Sequence, residues 1–508
     1  MARLFAVVVY RVAPLAGIVA SVGCAQIAGI DQTSGSARAV DSIVVTRQSI
    51  GATVVNAPLD ITGFDATYFP ARPGAAGEFD RVVASHGASP GIWTTQLHEP
   101  AAVQFTLPDV PVPIPRLYAF PSHQLQVLHA VLEHPGAAPA PDTATFTVTA
   151  PLDTAITAAD SFQTYVVGAW LVRGFTAAEA PAGAVQIGPV TYGFVAGNSV
   201  AGHASPDRVT AQDAFLILRY AGGGLTGVAT TAAPVDQSAA TTTVTMQAMA
   251  PVVQDQTLNL TLAATLTSRY GRVAPAHPGN TLAISWNLVA APGYQIASNA
   301  GPVLRSGTLT AIDTGLTATY GNPFAARGWH TIFTLATSVS RVYTAPGTMA
   351  SISLFAAMNQ FAEPTTKLTI DLPAGLPYAV ALDGTPLTSD TPPLTIKPPS
   401  QFVRVTFVTD TPGGPTVPSA DLYNLQVWDL SPNPTVPTAL DRRLVFQAAS
   451  NAASFLLPPE VLQPGHSYTL RALATLGGYP ALGDGNFVMR NLPLAQSFLD
   501  SGVVTVMP

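Results

Sequence analysis

The sequence predicts an all-β protein of several β-sandwiches in tandem, and three features carry that reading. Short runs of β-branched and aromatic residues recur along the chain, as in Phe162-Gln163-Thr164-Tyr165-Val166-Val167 and Leu258-Asn259-Leu260-Thr261-Leu262. Each alternates or is briefly continuous in the manner of a half-buried strand. Pro (46 residues) and Gly (41) punctuate these runs throughout, at the places where strands must stop and turn. No long stretch beyond the N-terminus combines helical spacing with caps. The best helical candidate, His123–His134, places Leu125, Leu128 and Leu132 on one helical face. It reads equally well as a strand through Leu125, Val127, His129 and Val131, and its all-β surroundings favour the strand.

Composition narrows the function classes. Of 508 residues, 22 are Lys or Arg and 29 are Asp or Glu, so 10% are charged, against about 25% in a typical soluble domain. The net charge of −7 is spread thinly with no basic run, which argues against a nucleic-acid partner. A hydrophobic fraction of 48% supplies several cores and excludes general disorder. The apolar residues are interleaved with Thr, Gly and Pro, which excludes a polytopic helical membrane protein. One Cys provides neither an internal disulfide nor a Cys-based zinc site, and no cofactor is expected.

That one Cys stands at a telling place. Arg3 and Arg11 supply positive charge, Val12–Val22 is apolar, and Ser21, Val22 and Gly23 lead into Cys24. The order of charge, apolar segment and small residues makes 1–23 a secretory signal peptide. Its end resembles the lipobox of bacterial lipoproteins, where a signal peptidase cuts before a Cys that receives a diacylglycerol. The Leu usual in that family three residues before the Cys is Ser21 here, while Gly23 fits. The resemblance implies that Cys24 is the first mature residue and the site of lipidation, with the membrane as partner through the acyl chains. The competing reading is cleavage after Ala25, which discards Cys24. Ala25-Gln26-Ile27-Ala28-Gly29-Ile30-Asp31 also resembles the start of many uncharacterised bacterial lipoproteins. Ala25, rather than Asp, after the Cys implies sorting to the outer membrane of a Gram-negative cell.

Residues 24–40, with Thr33, Ser34, Gly35 and Ser36, read as a flexible tether. Residues 41–112 read as a small sandwich ending in Pro108, Pro111, Pro113 and Pro115. Its pattern resembles the transthyretin-like or carboxypeptidase-regulatory-like modules of secreted bacterial proteins. Residues 113–385 form a large β-rich region of one or two sandwiches. Thr391-Pro392-Pro393 and Pro398-Pro399 then read as a stiff linker at the start of a last sandwich, 386–508. Within it, Leu462-Gln463-Pro464-Gly465-His466-Ser467-Tyr468 resembles the corner before strand F of fibronectin type III domains. The resemblance implies that the Tyr468 hydroxyl ties back to an upstream backbone group while its ring packs in the core. The Trp this family usually carries on strand B is absent, and Phe407 stands in its place.

Catalytic patterns are missing. His98-Glu99 is followed by Pro100, which argues against a zincin helix. Gly197-Asn198-Ser199-Val200-Ala201-Gly202 has the wrong spacing for a nucleophile elbow, and Lys367 and Lys397 lack the glycines of a phosphate loop. Gly222-Gly223-Gly224 reads as a hairpin turn rather than an oxyanion loop. The histidines clustered at His86, His98, His123, His129 and His134 read as surface or loop residues, and no metal site is assigned. Asp383-Gly384 and Asp484-Gly485-Asn486 read as tight turns rather than calcium loops. Trp170, Trp286 and Trp428 lie inside apolar strand patterns and read as core. Trp93 and Trp329, at strand edges beside glycines, are the candidate ligand contacts. The favoured function is a non-catalytic, lipid-anchored envelope protein that binds, adheres or scaffolds, with other envelope proteins or glycans as partners. The alternatives are a carbohydrate-binding protein of a glycan-utilisation system, and a hydrolase whose two acids come from different strands.

Overall fold

The computed structural model describes residues 41–508 except 52–53, 71–79, 96–101, 108–113, 120–123, 133–143, 195–206, 263–265, 275–276, 278–281, 294–300, 310–314, 366, 389–392, 413–418 and 488–490. Four β-sandwiches follow one another, and the all-β reading holds.

The first contains β1 (Asp41–Ile50), β2 (Val54–Pro58), β3 (Ala66–Phe69), β4 (Val82–Val83), β5 (Ser85–His86), β6 (Ile92–Thr95), β7 (Ala102–Thr106), β8 (Pro115–Ala119) and β9 (Gln124–Leu132). β1 lies at the centre of one sheet, antiparallel to β2 and β6 on one side and parallel to β9 on the other. The facing sheet runs β4-β3-β7-β8. Ile43, Val45, Trp93 and Phe105 fill the space between them. The described part of the candidate helix His123–His134 is the strand β9. The Pro-rich run therefore does not close this unit at 112. Two more strands follow it, the first opening on Pro115, a position where a proline costs no ladder bond.

The second sandwich contains β10 (Thr145–Pro151), β11 (Ser161–Val167), β12 (Leu171–Gly174), β13 (Gln186–Tyr192), β14 (Ala214–Ala221), β15 (Gly224–Thr230), β16 (Thr241–Thr245) and β17 (Ala250–Pro251). One sheet runs β13-β10-β16, with β10 and β16 parallel. The other runs β12-β11-β14-β15-β17. The third contains β18 (Gln256–Leu262), a short helix Leu266–Tyr270, β19 (Ala283–Ala291), β20 (Val303–Leu309), β21 (Leu316–Tyr320), β22 (His330–Thr344), β23 (Ser351–Ala362) and β24 (Leu368–Ile370). Its sheets run β21-β18-β24, with β18 and β24 parallel, and β20-β19-β22-β23. The first three units thus share one topology. The opening strand lies between an antiparallel partner and a parallel closing strand, and the facing sheet is drawn from the strands between them, joined in the second unit by β17 after its closing strand.

The fourth unit contains β25 (Pro377–Leu382), β26 (Thr385–Pro386), β27 (Leu394–Ile396), β28 (Val403–Thr409), β29 (Leu422–Pro432), β30 (Leu440–Ser450), β31 (Ser454–Leu457), β32 (Ser467–Gly477) and β33 (Leu494–Val506). Here β26-β25-β28-β31 faces β30-β29-β32-β33, with β27 added parallel to β33. This unit begins at β25, before position 386. The expected linker is not one: between its proline pairs, Leu394–Ile396 is a paired strand. The region 113–385 accordingly divides among all four sandwiches.

The sheets of neighbouring units join edge to edge. β15 of the second unit meets β20 of the third at Gly224↔Arg305. β23 of the third pairs with β33 of the fourth from Ala356↔Leu499 to Phe361↔Leu494. β30 of the fourth pairs in parallel with β8 of the first from Gln447↔Arg116 to Ser450↔Ala119. One 18-stranded sheet results. The order of units along it is second, third, fourth, first, and the indole N–H of Trp170 donates to the Ile50 carbonyl, bringing the second unit into contact with the first. The circuit of contacts is closed.

Gly222 and Gly223, both at positive φ, form the hairpin turn expected of them. They also dock it, because the Gly223 carbonyl accepts the Ser306 N–H at 2.8 Å. A Cβ at Gly223 would stand 2.8 Å from the Ser306 carbonyl oxygen, whereas one at Gly222 would meet nothing within 4 Å. Gly222→Ala should therefore cost only the strain of its backbone, while Gly223→Ala should cost more than about 1 kcal/mol beyond it. Urea unfolding of both variants reads the difference, and equal midpoints would mean that this junction contributes nothing.

Candidate functional site

A concavity lies at one end of the first sandwich, and a single residue of β1 bonds to both its walls. The Val45 N–H donates to the Gly91 carbonyl at 2.9 Å, and the Val45 carbonyl accepts the Leu59 N–H at 3.1 Å. The segments Pro58–Thr62 and His86–Ile92 are thereby fixed on either side of a cavity of about 430 Å³. Gly91 sits at φ +76, and a Cβ there would come within 2.8 Å of the Val45 oxygen, so the wall can approach this closely only with glycine. The Gly87 N–H closes the second wall on the Ile92 carbonyl at 2.7 Å.

The cavity offers polar groups over an apolar lining, with Asp60, Thr62, His86 and Ser89 beside Pro58 and Pro90. One oxygen of Asp60 accepts the Thr62 N–H at 3.0 Å. That bond, with help from the Thr62 hydroxyl, holds the carboxyl below its ordinary value, so it stays ionised near neutrality.

Trp93 lies beneath this cavity rather than in it. Its side chain is fully buried, its indole N–H donates to the Phe64 carbonyl at 3.1 Å, and the His86 ring lies 6.5 Å away. Trp329 is buried as well, stacked between Trp170 at 5.9 Å and Phe324 at 5.6 Å. Neither is an exposed ligand contact. Position beside a glycine suggested exposure, but Trp93 fills the core of the first sandwich and Trp329 a joint between the second and third units. Trp170 is core as expected, yet it adopts φ +54, a strained conformation for a bulky residue, where the first three units meet. Trp428, expected in the core, is half-buried on the opposite face of its strand from Val427. The guanidiniums of Arg442 and Arg471 lie 5.5 and 5.6 Å from its ring.

At the corner, the Tyr468 hydroxyl accepts the Gln463 N–H at 2.8 Å, the ring is buried, Leu462 packs into the core and Gly465 turns at φ +78. Pro464 is exposed. Cys24, His98, His123, His134 and the segment Gly197–Gly202 lie outside the described residues; His129 is on β9. Among the described residues no group of three or more His, Cys, Asp or Glu could hold a metal ion.

The polar groups that sequence reading missed are buried ion pairs. Arg269 of the short helix grips Asp410 through two bonds of 2.7 and 3.0 Å and donates to the Leu372 and Ala374 carbonyls at 2.6 Å each. Both partners are buried, so the segment joining the third and fourth units is tied to both. Asp500 accepts from Arg471 at 2.7 and 3.1 Å, from Arg442 at 3.1 Å and from the Phe355 N–H at 2.9 Å. Burial opposes its charge, but these donors, Arg471 foremost, hold its carboxyl below the ordinary value. In the second unit Arg219 spans Asp160 at 2.7 and 3.1 Å and reaches Thr154 at 2.6 Å.

No protein-family model matches the chain, and no curated protein matches it. Among solved structures it is similar to a streptococcal ancillary pilin, at 11% identity over 62% of this chain and 95% of that one, with a TM-score of 0.12. It is also similar to the Bacillus anthracis TIE protein, at 9% identity over 94% of this chain and 75% of that one, with a TM-score of 0.11. At these scores neither likeness carries an argument about fold or function.

The Arg219–Asp160 pair gives a pH signature. The Arg219 guanidinium holds the Asp160 carboxyl down at about 2, against burial. The stability it contributes, about 2 kcal/mol, is present above the ordinary carboxylate range and is lost as pH falls through about 2. In acid titrations of unfolding free energy, the wild type should fall more steeply than Asp160→Asn between pH 4 and 2. Parallel curves would remove the pair as a source of acid sensitivity.

Proposed function

We propose that this chain is an exported, lipid-anchored envelope protein whose four sandwiches work as one non-catalytic body, binding or bridging rather than converting. One observation carries the reading: the exposed edges of the large sheets are spent on one another. Units of a single chain move relative to one another unless the interface between them is extensive and well bonded. Here the third-to-fourth and fourth-to-first joints are backbone ladders, reinforced at the third-to-fourth junction by buried ion pairs. Such a body transmits position rather than closing on a substrate, which suits a scaffold or an adhesive spacer.

The anchor supplies the other half of the reading. With Cys24 acylated, each buried methylene contributes about 0.8 kcal/mol to membrane association. Ala25 after the Cys favours the outer membrane. The lone thiol at the signal junction supports this assignment, as does a body with little net charge for electrostatic membrane binding.

Replacing Cys24 by Ser tests it. The wild type should sediment with membranes and yield a mature N-terminal peptide carrying acyl chains by mass spectrometry, and the variant should move to the soluble fraction. A mature peptide beginning at Gln26, or a variant that stays with the membrane, would overturn the anchor.

A further inference from the structure

We propose that the cavity held by Val45 in the first sandwich is a recognition site for a neutral sugar unit. Its volume of about 430 Å³ falls within the range of small-molecule pockets, which pair an apolar lining with a few placed polar groups. The ligand class follows from what those groups can and cannot do. The free lone pairs of the Asp60 carboxylate accept hydrogen bonds from hydroxyls. The hydroxyls of Thr62 and Ser89 accept or donate, and the His86 imidazole offers one donor and one acceptor when neutral. Adjacent hydroxyls of a sugar ring present both donors and acceptors to such a set. Pro58 and Pro90 present flat, rigid apolar surface to the C–H faces of a ring, a role that needs no exposed aromatic.

Charge excludes the main alternatives. No Arg or Lys lines the cavity, so nothing there neutralises a phosphate, sulfate or carboxylate, and the Asp60 carboxylate repels one. The apolar lining and the absence of a second carboxylate among the lining residues give a metal ion too few ligands. The cavity is also ready-made. Both walls hang on the backbone of one residue in the central strand, and Gly91 admits no side chain, so a ligand need not order them. The site is separate from the anchor, and its test leaves the anchor out.

Full-length Cys24→Ser protein would be applied to an array of neutral and acidic oligosaccharides, and the neutral glycan of strongest signal titrated by calorimetry. Neutral glycans should bind, and Asp60→Asn and His86→Ala should each weaken the titrated one tenfold or more, about the loss of one hydrogen bond to a charged or buried group. Both side chains are exposed and unfolding midpoints should match the parent. The proposal fails if no neutral glycan binds, if acidic glycans bind better, or if both variants bind within about twofold of the parent. It fails equally if Gly223→Ala, at a distant joint, weakens binding as much as Asp60→Asn.

Discussion

A strand at the rim of a sheet exposes a row of N–H and C=O groups that pair with any strand offered to them. A protein of four short sandwiches multiplies such rims. Proteins commonly blunt them with lysines, prolines or bulges, and this chain has two lysines in all. It joins rims of its large sheets to one another instead. β23 takes β33, β30 takes β8, and the Gly222-Gly223 hairpin brings β15 against β20. Because those rims belong to different units, the same bonds that remove an aggregation hazard also fix how the units sit together. The parallel β8–β30 pair joins the first unit to the last across most of the sequence, so the fold closes only when nearly all of it is present.

The scarcity of charge takes its meaning from that arrangement. Arg269 with Asp410, and Arg471 and Arg442 with Asp500, lie in the joint between the third and fourth units, where few waters could serve them. A buried pair of this kind adds little net stability over apolar packing, yet removing one partner leaves a charge stranded. The geometry they specify is what they contribute. Leu372, whose carbonyl Arg269 holds, adopts a positive φ of 48°, a conformation that persists where surrounding bonds over-determine it. Trp170 plays a comparable part in apolar form, with its strained backbone, its stack on Trp329 and its indole N–H on Ile50.

Much of the local structure was legible. Alternation located the strands, the all-β surroundings decided the segment around β9 correctly, the glycine run gave a hairpin, and the Leu462–Tyr468 stretch gave a corner whose Tyr468 hydroxyl does bond back along the chain. What failed was everything that depends on partners distant in sequence. Prolines at 108–115 and 392–399 look like linkers locally. The structure instead opens β8 on Pro115 and sets β27 between two proline pairs, because rim strands tolerate proline where their N–H faces away from the ladder. Trp93 and Trp329 looked exposed because glycine neighbours suggest a surface turn, yet Trp93 fills the core of the first sandwich and Trp329 a joint that no local pattern encodes. Arg471 between Leu470 and Ala472, and Asp500 beside Leu499, did carry a signal. A charge set within an apolar strand needs a buried partner, and reading those residues so would have pointed to the junction. The cavity at Asp60 and His86 left none, since its two walls come from separate segments that meet only across the folded sheet.

The claim on which the rest stands is that the units form one body through shared ladders, and native-state hydrogen exchange tests it most directly. The amides of Arg116–Ala119 that face β30, and those of Ala356–Phe361 that face β33, should exchange as slowly as the interior amides of β29 and β32. Exchange at those junction amides as fast as in the surrounding loops, with β29 and β32 still protected, would show four independent sandwiches and contradict the account.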